Sequence, residues 1–510
     1  MRVRYQRGPA MSGSGGTAAG RGPGRSWRVR VSIQRAYGGD LVSVRHPLPA
    51  TLLAGTAAAA ALVCWSDDRR AVSPATIGAA AVGIATLLAA IRRDPWPPRL
   101  VIVIVLLVGA ADVRATAAWR ALEPRHTGEF QGWATVVGDP QPFPTATRMV
   151  LEIEGERFEY WARGRAKRLR VADWAAGDRV LVDGVREALD PDRRLRVASQ
   201  HVVGELTLTW VAEVISGGPL DRASNRVRDV LARGSRALPD GEAALFRGLV
   251  LGDDAQQPPA MIDRFRASGL SHLTAVSGQN VAFLLAAASP FLRRLRPGVR
   301  WAITVAVIGW FVMLTRFEPS IIRAGAMAAL SATAFVLGRE RHPARLLCIA
   351  VIAILLVDPL LARSVGFWLS TGATAGVTTL GPWLADRLRL LGLLAAPVAI
   401  TLGAQAGVLV PALLVFGQVP LVSVPANVLA GPVAGGVMLY GLPAGLVAGA
   451  VPALAPVVML PCRLGVRWVD LVATLAARLE PGGVASWIGW LLVLVTVGVL
   501  VTCGRGRNRR

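Results

Sequence analysis

Long apolar stretches dominate this sequence and limit the folds that it can adopt. A helix needs about 20 largely apolar residues to cross the roughly 30 Å hydrocarbon layer of a bilayer. Only 17% of the residues are charged, whereas soluble domains carry about a quarter. Apolar stretches lie near residues 48–65, 74–92, 99–119, 271–292, 299–315, 320–338, 345–357, 364–383, 393–416, 420–448, 452–478 and 486–503. We therefore predict a polytopic α-helical membrane protein with about twelve transmembrane helices.

Arginine-rich loops predict how these helices are oriented. Arginine supplies nearly all of the formal charge of +23, because Lys167 is the only lysine. Loops rich in arginine alternate with loops that carry few basic residues, and basic loops stay in the cytoplasm. The alternation predicts a multi-pass protein with both termini cytoplasmic. The excess charge also favours anionic partners, either lipid headgroups or nucleic acid.

A polar region from about residue 126 to 210 interrupts the apolar series. Its short runs alternate apolar and polar residues between Gly, Pro and Asp turns, which is typical of β-strands. The runs are FQGWATVV, RMVLEIEG, RFEYWAR, DRVLVDGV and RLRVASQHVV. Five strands of this length suit a small OB-like β-barrel. We expect this domain to be inserted after the third helix, on the extracytoplasmic side.

Polar side chains within the apolar stretches are the first set of candidate functional residues. The run HLTAVSGQN (272–280) can interrupt a helix in a bilayer only where it is buried in protein or lines a wet cavity. Glutamine and asparagine need partners or water there, whereas glycine also serves close helix packing. His272 and Arg323 have the alternative of pointing to the membrane surface. We predict a channel lined by His272, Ser277, Gly278, Gln279, Asn280, Arg323, Ser370, Gln405 and Asn427.

A second set of candidates lies in the β-rich region, in FEYWARGRAKRLR (158–170). Aromatic faces beside cations are typical of single-strand binding grooves, because bases stack on the rings while phosphates pair with the cations. The alternative is a solvated strand whose aromatic residues belong to the core. The predicted DNA-binding residues are Tyr160, Trp161, Arg163, Arg165, Lys167, Arg168 and Arg170.

Signatures of soluble enzymes are missing from the sequence. The five histidines are scattered and form no run typical of a metal hydrolase. Lys167 stands in GRAKRLR rather than in a phosphate-binding loop of the G-x-x-x-x-G-K-[ST] type. The four cysteines are far apart, without a C-x-x-C pair. We therefore predict no catalytic residue, no metal site and no cofactor.

Several motifs resemble the ComEC competence-protein family. GLVLGDDAQQPPAMIDRFRASGLSHLTAVSGQNVAFLL begins the series, and SIIRAGAMAAL, DPLLARSVGFWLSTGATAGV and VPANVLAGP follow in the family's order. The similarity covers the chain from about residue 40 to 503. It implies a channel component of bacterial DNA uptake in the cell membrane, with an external OB-type domain.

Two features differ from many members of that family. Many read SGLH where this chain has Ser277, Gly278, Gln279 and Asn280, so no histidine role is carried over to Asn280. Many also continue into a metallo-β-lactamase-like domain, where this sequence ends in RGRNRR. We therefore expect degradation of the non-transported strand to come from another chain or from the external domain.

The predicted organisation follows from these patterns and from the resemblance. It comprises a disordered basic N-terminus (1–45), three transmembrane helices (46–122), an extracytoplasmic OB-like β domain (123–212), a polar helical connector (213–268), a competence-type transmembrane channel domain (269–503) and a basic cytoplasmic tail (504–510).

The predicted function is a channel for uptake of single-stranded DNA during natural transformation. Its predicted partners are single-stranded DNA, the lipid bilayer and, as the resemblance implies, a separate cytoplasmic ATPase and an external DNA receptor. One alternative is a secondary transporter of a small anionic solute, which would not need the external domain. Another is a membrane-anchored DNA nuclease that acts through that domain, with Glu152, Glu154, Glu156 and Glu159 as candidates.

Overall fold

The computed structural model describes residues 50–65, 98–274, 278–339 and 342–507, and it is mostly helical with one β domain. The predicted disordered N-terminus (1–45) and the predicted span at 74–92 lie outside these residues. The same holds for Ser277, one of the predicted channel-lining residues.

The β domain follows the first described helices. These are α1 (Ala50–Trp65) and α2 (Pro98–Arg120). The domain comprises β1 (Gly128–Val136), β2 (Gln141–Pro142), β3 (Ala146–Ile153), β4 (Glu156–Arg163), α3 (Arg165–Val171), β5 (Arg179–Ala188), α4 (Pro191–Val197) and β6 (Val202–Ile215).

The rest of the described chain is helical. Its α-helices are α5 (Pro219–Ser235), α6 (Asp240–Leu251), α7 (Pro259–Ala267), α8 (Ser271–Thr274), α9 (Gly278–Leu292), α10 (Pro297–Leu314), α11 (Pro319–Val336), α12 (Pro343–Val357), α13 (Val365–Arg387), α14 (Ala395–Phe416), α15 (Ser423–Ala450), α16 (Ala455–Val458), α17 (Leu460–Leu479) and α18 (Gly483–Arg507). Short 3-10 helices precede α13, α14 and α16.

The strands of the β domain form one sheet in the order β1-β5-β6-β4-β3-β2, and β1 also pairs with β3. That additional pairing joins Thr135 to Glu152 and Val136 to Leu151. The strands β1, β5, β6, β4 and β3 therefore follow one another around a closed circuit. Neighbouring strands run antiparallel, except for the parallel pair β4 and β6. Side chains such as Phe158 and Val180 are completely buried in its core.

The last predicted strand of this domain starts later than the sequence pattern indicated. RLRVASQHVV covers residues 194–203, but α4 and a 3-10 turn (Ala198–Gln200) occupy most of it. Proline is favoured in the first turn of a helix and arginine is a good helix former, so local preference overrides the alternating pattern. β6 begins at Val202 and runs to Ile215, past the predicted boundary at 212.

Five helical segments of the described residues are long and apolar enough to cross a bilayer. They are Ile102–Arg120, Pro297–Leu314, Pro319–Val336, Arg389–Phe416 and Ser423–Ala450. Shorter apolar helices are Gly55–Trp65, Gly278–Leu292 and Pro343–Val357. Length and composition thus indicate a membrane protein, while the number of about twelve spans stays a prediction.

The predicted span at 452–478 has a different form. It is divided into a 3-10 turn, α16 and α17, and α17 meets α18 at a bend of 107°. The bent pair would add a sixth crossing if it acts as one span. Arg463 and Arg467 of α17 both pair with Glu242 of α6. These ion pairs explain how two arginines fit within an apolar stretch.

Five helices of the membrane region are arranged in a ring. α9 packs on α11, α11 on α13, α13 on α14, α14 on α15, and α15 on α9. Within the described residues, helices on opposite sides of this ring pack far less closely than neighbours do. Ser370, Gln405 and Asn427, on three of these helices, are only half-buried. Within the ring, each of the five helices therefore packs mainly on its two neighbours.

Two apolar cores connect the ring helices to the other elements of the described chain. One core joins the β domain to α1, α2 and α12. Another fills the space between α6, α7, α10, α15 and α17. The ring helices contribute to both cores, through Phe367 of α13 in the first and Val281 of α9 and Ile321 of α11 in the second.

Glycines bring α13 and α14 into close contact. Gly372 and Gly376 of α13 lie so near Gly407 and Gly403 of α14 that added methyl groups would overlap the facing backbone. Small residues four positions apart are typical of closely packed membrane helices. For these glycines the structure favours helix packing over a break in the helix.

Gly376→Ala is expected to destabilise the protein, because the methyl group would overlap the carbonyl oxygen of Gly403. Overpacking of this kind lowers the free energy of unfolding by about 1–3 kcal/mol. Thermal unfolding of the full chain in detergent measures the effect. As a control, Gly309→Ala adds a methyl group where no atom lies within 4 Å. Its midpoint should equal or slightly exceed that of the wild type, and equal midpoints for the two variants would contradict this packing.

Candidate functional site

Arg323 is a buried cation on the ring helix α11, with only 4% of the residue exposed. Its Nε and Nη2 atoms donate to Ser370 Oγ of α13 at 2.9 and 2.7 Å, and Nη1 donates to Met327 Sδ at 3.2 Å. All of these partners are neutral, so they leave its charge unbalanced. A buried charge is costly unless an anion or water compensates it. The outward orientation considered for Arg323 is therefore not the one observed.

Gly278, the first residue of α9, lies beside this guanidinium. A methyl group at position 278 would be 2.9 Å from Arg323 Nη2, so glycine permits the close approach of α9. The first turn of a helix also has backbone N–H groups without partners inside the helix. Gly278, Arg323 and Ser370 thus bring α9, α11 and α13 together at one electropositive point.

Asn280 connects the ring to α6. Its Nδ2 atom lies 3.2 Å from Leu249 O and 3.5 Å from Val250 O, to which it donates. Only 5% of the residue is exposed. The bonds tie α9 to the C-terminal end of α6 and give the amide little access to water. The structure therefore assigns Asn280 a packing role, in place of the predicted contact with a water-filled route.

Gln405 and Asn427 both bond to Ser423 of α15, and the Gln405 bond joins α14 to α15. Gln405 Nε2 donates to Ser423 Oγ at 2.9 Å, and Asn427 Nδ2 donates to Ser423 O at 2.7 Å. Both helices run without interruption through these positions. The prolines inside α14 and α15 are tolerated because neighbouring groups form hydrogen bonds with the backbone carbonyls that a proline leaves without a partner. Both amides stay half-buried and keep some access to solvent.

Two other predicted lining residues have few contacts with the ring. His272 is exposed on the short helix α8, which precedes α9. Gln279 is exposed on the first turn of α9. Their roles in a channel stay predictions, as does that of Ser277, which the structure does not describe.

Tyr160 of the β domain lies in the core. β4 points Phe158, Tyr160 and Ala162 to the interior, where Tyr160 is 5% exposed. A ring in this position has no free face on which a base can stack. Tyr160 is therefore removed from the predicted DNA-binding set, and the alternative of core aromatics is correct for Phe158 and Tyr160.

Trp161 lies on the opposite face of β4 and is half-buried. Its ring centroid is 5.2 Å from that of Phe143, and the guanidinium of Arg193 lies 5.3 Å above the ring. Phe143 is 44% exposed. The pair of rings beside a cation is a surface on which a base could stack.

The predicted cations of this region occupy a strand end and a helix rather than a single strand. Arg163 ends β4, and the other four belong to α3. Arg168 donates through Nη1 to Pro144 O at 3.4 Å and is half-buried. The other cations are exposed and form what we call the basic surface: Arg163, Arg165, Lys167 and Arg170.

The four glutamates considered for a nuclease are all paired with arginines. Their partners are Arg157 for Glu152, Arg186 for Glu154, Arg125 for Glu156, and both Arg148 and Arg193 for Glu159. Glu159 is completely buried. Neutralised carboxylates of this kind hold a fold together, and their pairing does not favour catalysis.

Sequence reasoning missed an ion-paired joint between the β domain and the helices. Arg316, after α10, donates to both carboxylate oxygens of Asp139 at 3.1 and 2.7 Å, and Arg228 of α5 lies 2.8 Å from Asp139 Oδ2. Burial opposes ionisation of Asp139, but the charges of Arg228 and Arg316 outweigh it and lower the pKa of this carboxyl. Asp139 and Arg316 are 177 residues apart, so no local pattern pairs them.

A second joint lies on α12. His201 Nε2 is 2.9 Å from Asp358 Oδ2, and Asp358 Oδ1 accepts a hydrogen bond from Leu360 N at 3.1 Å. Asp358 therefore caps the 3-10 turn that follows α12 and also contacts the β domain. Arg114 of α2 donates to the carbonyls of Leu356 and Val357, each at 3.0 Å. The β domain is thus fixed to the helices at two places.

Comparison with known proteins gives a consistent result. A family model described as "Competence protein" matches residues 249–507. ComE operon protein 3 of Bacillus subtilis (strain 168) is 26% identical over 249 residues, covering 48% of this chain and 30% of that protein. Competence protein ComA of Neisseria gonorrhoeae is 33% identical over 152 residues, covering 28% of this chain and 21% of that protein.

A further relative is the uncharacterized protein YcaI of Escherichia coli (strain K12), 28% identical over 203 residues. That match covers 37% of this chain and 27% of the relative. The chain thus spans less than a third of the length of each of these curated relatives. No solved structure matches it.

Asp139→Asn is expected to weaken the joint, because a neutral amide leaves Arg228 and Arg316 without their anion. The free energy of unfolding should fall by about 1–3 kcal/mol at neutral pH. The folded-state pKa lies below the ordinary 3.8, so the contribution of the carboxylate is complete above that value and is lost as pH falls through the folded pKa.

Thermal unfolding of the full chain as a function of pH tests this expectation. The difference in unfolding midpoint between the wild type and Asp139→Asn should be largest near neutral pH and should disappear on strong acidification. Asp386→Asn is the control, because Asp386 forms an exposed pair with Arg389 that contributes little. A gap that stays constant with pH would rule out ionisation of Asp139 as its cause.

Proposed function

This chain belongs to the competence protein family, and on this premise we propose that it is a channel through which single-stranded DNA crosses the bacterial cell membrane. The ring of α9, α11, α13, α14 and α15 carries the proposal. All five helices lie within the residues that match the family. The helices of the ring pack on their neighbours rather than across it, and three of them form the electropositive point of Gly278, Arg323 and Ser370.

The charge of DNA explains why such a ring is needed. Every nucleotide carries a phosphate charge, and an unpaired charge in hydrocarbon costs several kcal/mol. A passage for the strand must therefore be wet, and it must offer compensating positive charge. Ser370, Gln405 and Asn427 are half-buried polar residues on three helices of the ring, and we propose that they face this passage.

Arg323 supplies the positive charge in this proposal. A guanidinium pairs well with phosphate oxygens, and only part of its donor capacity is used by Ser370 and Met327. The N–H groups at the start of α9 add donors that do not distinguish between bases. Contacts with the backbone alone allow strands of any sequence to pass.

We assign DNA collection to the β domain, which we place on the extracytoplasmic side with both chain termini in the cytoplasm. Its closed circuit of five strands, its parallel β4–β6 pair and a helix between β4 and β5 support an OB-like barrel. The basic surface and the Trp161–Phe143 pair supply cations and an aromatic face. Such a combination binds single strands without sequence preference.

The two joints at Asp139 and Asp358 would keep the collecting surface in a fixed relation to the ring. Energy for transport would come from a separate cytoplasmic ATPase, and an external receptor would deliver the DNA. Because all four candidate glutamates are paired with arginines, the β domain is proposed as a binding module rather than a nuclease.

Arg323→Leu is expected to reduce DNA uptake, because phosphate would lose its compensating charge in the ring. Transformation frequency in a strain that lacks its own family member, complemented with this chain, measures the effect. The loss should be at least about tenfold, since a barrier raised by about 1.4 kcal/mol slows passage by that factor. Arg323→Lys retains the charge and should keep part of the activity. The control Arg389→Leu removes an exposed arginine and should leave the frequency unchanged.

Transformation frequencies are compared only at equal amounts of each variant in the membrane fraction, determined by immunoblotting. Wild-type frequency in Arg323→Leu would contradict the proposed passage. A transport assay in proteoliposomes containing the purified chain distinguishes the proposed DNA channel from the alternative, a transporter of a small anion. Accumulation of labelled inorganic phosphate that is lost in Arg323→Leu, without any effect on DNA uptake, would favour a small anion as the substrate.

Neutralising the basic surface should weaken DNA binding and reduce its dependence on salt. The variant Arg165→Gln, Lys167→Gln, Arg170→Gln removes three cations, and the slope of log K against log salt should fall by up to about 2, at about 0.7 per single-strand phosphate contact. Binding of fluorescent oligothymidine to the full chain in nanodiscs measures the slope. The control replaces the exposed Arg226, Arg233 and Arg236, which lie outside the β domain, with glutamine. Equal slopes for both triple variants would argue against the basic surface as the collector.

A further inference from the structure

A cleft of about 410 Å³ lies between α9, α10 and α11. Most of its wall is formed by small and apolar side chains, including Val281, Leu285, Ala324, Ala328, Ala332 and Val336. Thr304, one of the few polar residues on the wall, donates to Arg300 O of its own helix at 2.7 Å. The wall therefore offers little to a phosphate or a base and suits a hydrocarbon chain.

Arg300 lies at one end of this cleft, near the start of α10. Its guanidinium is 4.2 Å from the centroid of Phe335, which also lines the cleft. Trp301, another lining residue, donates through Nε1 to Thr333 Oγ1 at 2.9 Å. Tryptophan is enriched where membrane helices meet the headgroup layer, and an arginine beside it can extend its guanidinium to the headgroups.

The loop before α10 adds charge at the same end. Arg293, Arg294 and Arg296 are exposed and immediately precede Pro297, which lines the cleft. Four arginines thus lie within eight consecutive residues (293–300). Basic pockets between membrane helices on the cytoplasmic side bind anionic lipid headgroups.

We infer that this cleft binds one acyl chain of an anionic phospholipid, with the lipid phosphate at Arg300 and the 293–296 loop. The apolar wall and the cationic end match the two parts of such a molecule, and a neutral phospholipid would gain less from the arginines. The inference goes beyond the proposed channel and does not depend on it, because it requires only that α9, α10 and α11 lie in a bilayer. A bound lipid would connect α10 to the ring helices α9 and α11.

A comparison of phosphatidylglycerol with phosphatidylcholine of identical acyl chains distinguishes recognition of the headgroup charge from recognition of the acyl chain. Native mass spectrometry of the full chain in detergent measures the affinity for each lipid. We expect Arg300→Gln to weaken binding of phosphatidylglycerol about fivefold, which corresponds to about 1 kcal/mol for one arginine near a headgroup. Binding of phosphatidylcholine should not change. The control Arg345→Gln alters an arginine at the start of α12 that does not line the cleft, and it should bind both lipids like the wild type.

The acyl-chain part of the site needs a separate test. Ala328→Phe should fill the cleft and reduce binding of phosphatidylglycerol, provided that circular dichroism shows a folded chain. If the variant does not fold, phosphatidylglycerol with a photoreactive acyl chain should crosslink the wild type within α9, α10 or α11. Equal affinity of the wild type for the two lipids, wild-type binding in Arg300→Gln, or crosslinks confined to other helices would each overturn the inference. A change from monomer to dimer as the sole effect of Ala328→Phe would also overturn it, in favour of a second copy as the occupant.

Discussion

Hydrogen bonding without water is the constraint on which this structure depends. A polar group in a hydrocarbon layer must find its partner within the protein or in an enclosed wet space. Gln405 and Asn427 meet at Ser423, Asn280 bonds to carbonyls of α6, and Arg323 bonds to Ser370. Gln405 and Arg323 thereby join neighbouring helices of the ring, Asn280 joins α9 to α6, and Asn427 bonds within α15. Several residues predicted to line a channel are therefore also packing residues.

Arg323 differs from the amides because its bonds do not remove its charge. An amide that donates to a carbonyl is satisfied, whereas a guanidinium with neutral partners still attracts an anion. Its position beside Gly278, at the start of α9, adds backbone N–H groups to that attraction. In the proposed channel, the phosphates of the strand would meet this point one after another.

Ion pairs play the corresponding part where the protein is exposed to water. Asp139 and Asp358 tie the β domain to the helices, and Glu242 ties α17 to α6. Such contacts contribute modestly to stability but fix the relative positions of elements. The basic surface of the β domain keeps its cations exposed. Its charge is available to a partner, whereas Asp139 and Glu242 are already paired with arginines.

Sequence alone determined the features that depend on local composition. Apolar length revealed the membrane helices, alternation revealed most strands of the β domain, and the motifs around residues 250–280 and 319–330 identified the family. Sequence could not decide features that depend on distant partners. The alternating pattern could not distinguish a strand from α4. The basic aromatic motif placed Tyr160 on a binding surface, whereas it lies in the core. The apolar surroundings of Asn280 showed that it needs a partner or water but could not show that α6 supplies its acceptors. Tertiary structure decided these points, because the role of a polar or aromatic side chain is set by the groups that surround it after folding, and those groups come from other parts of the chain.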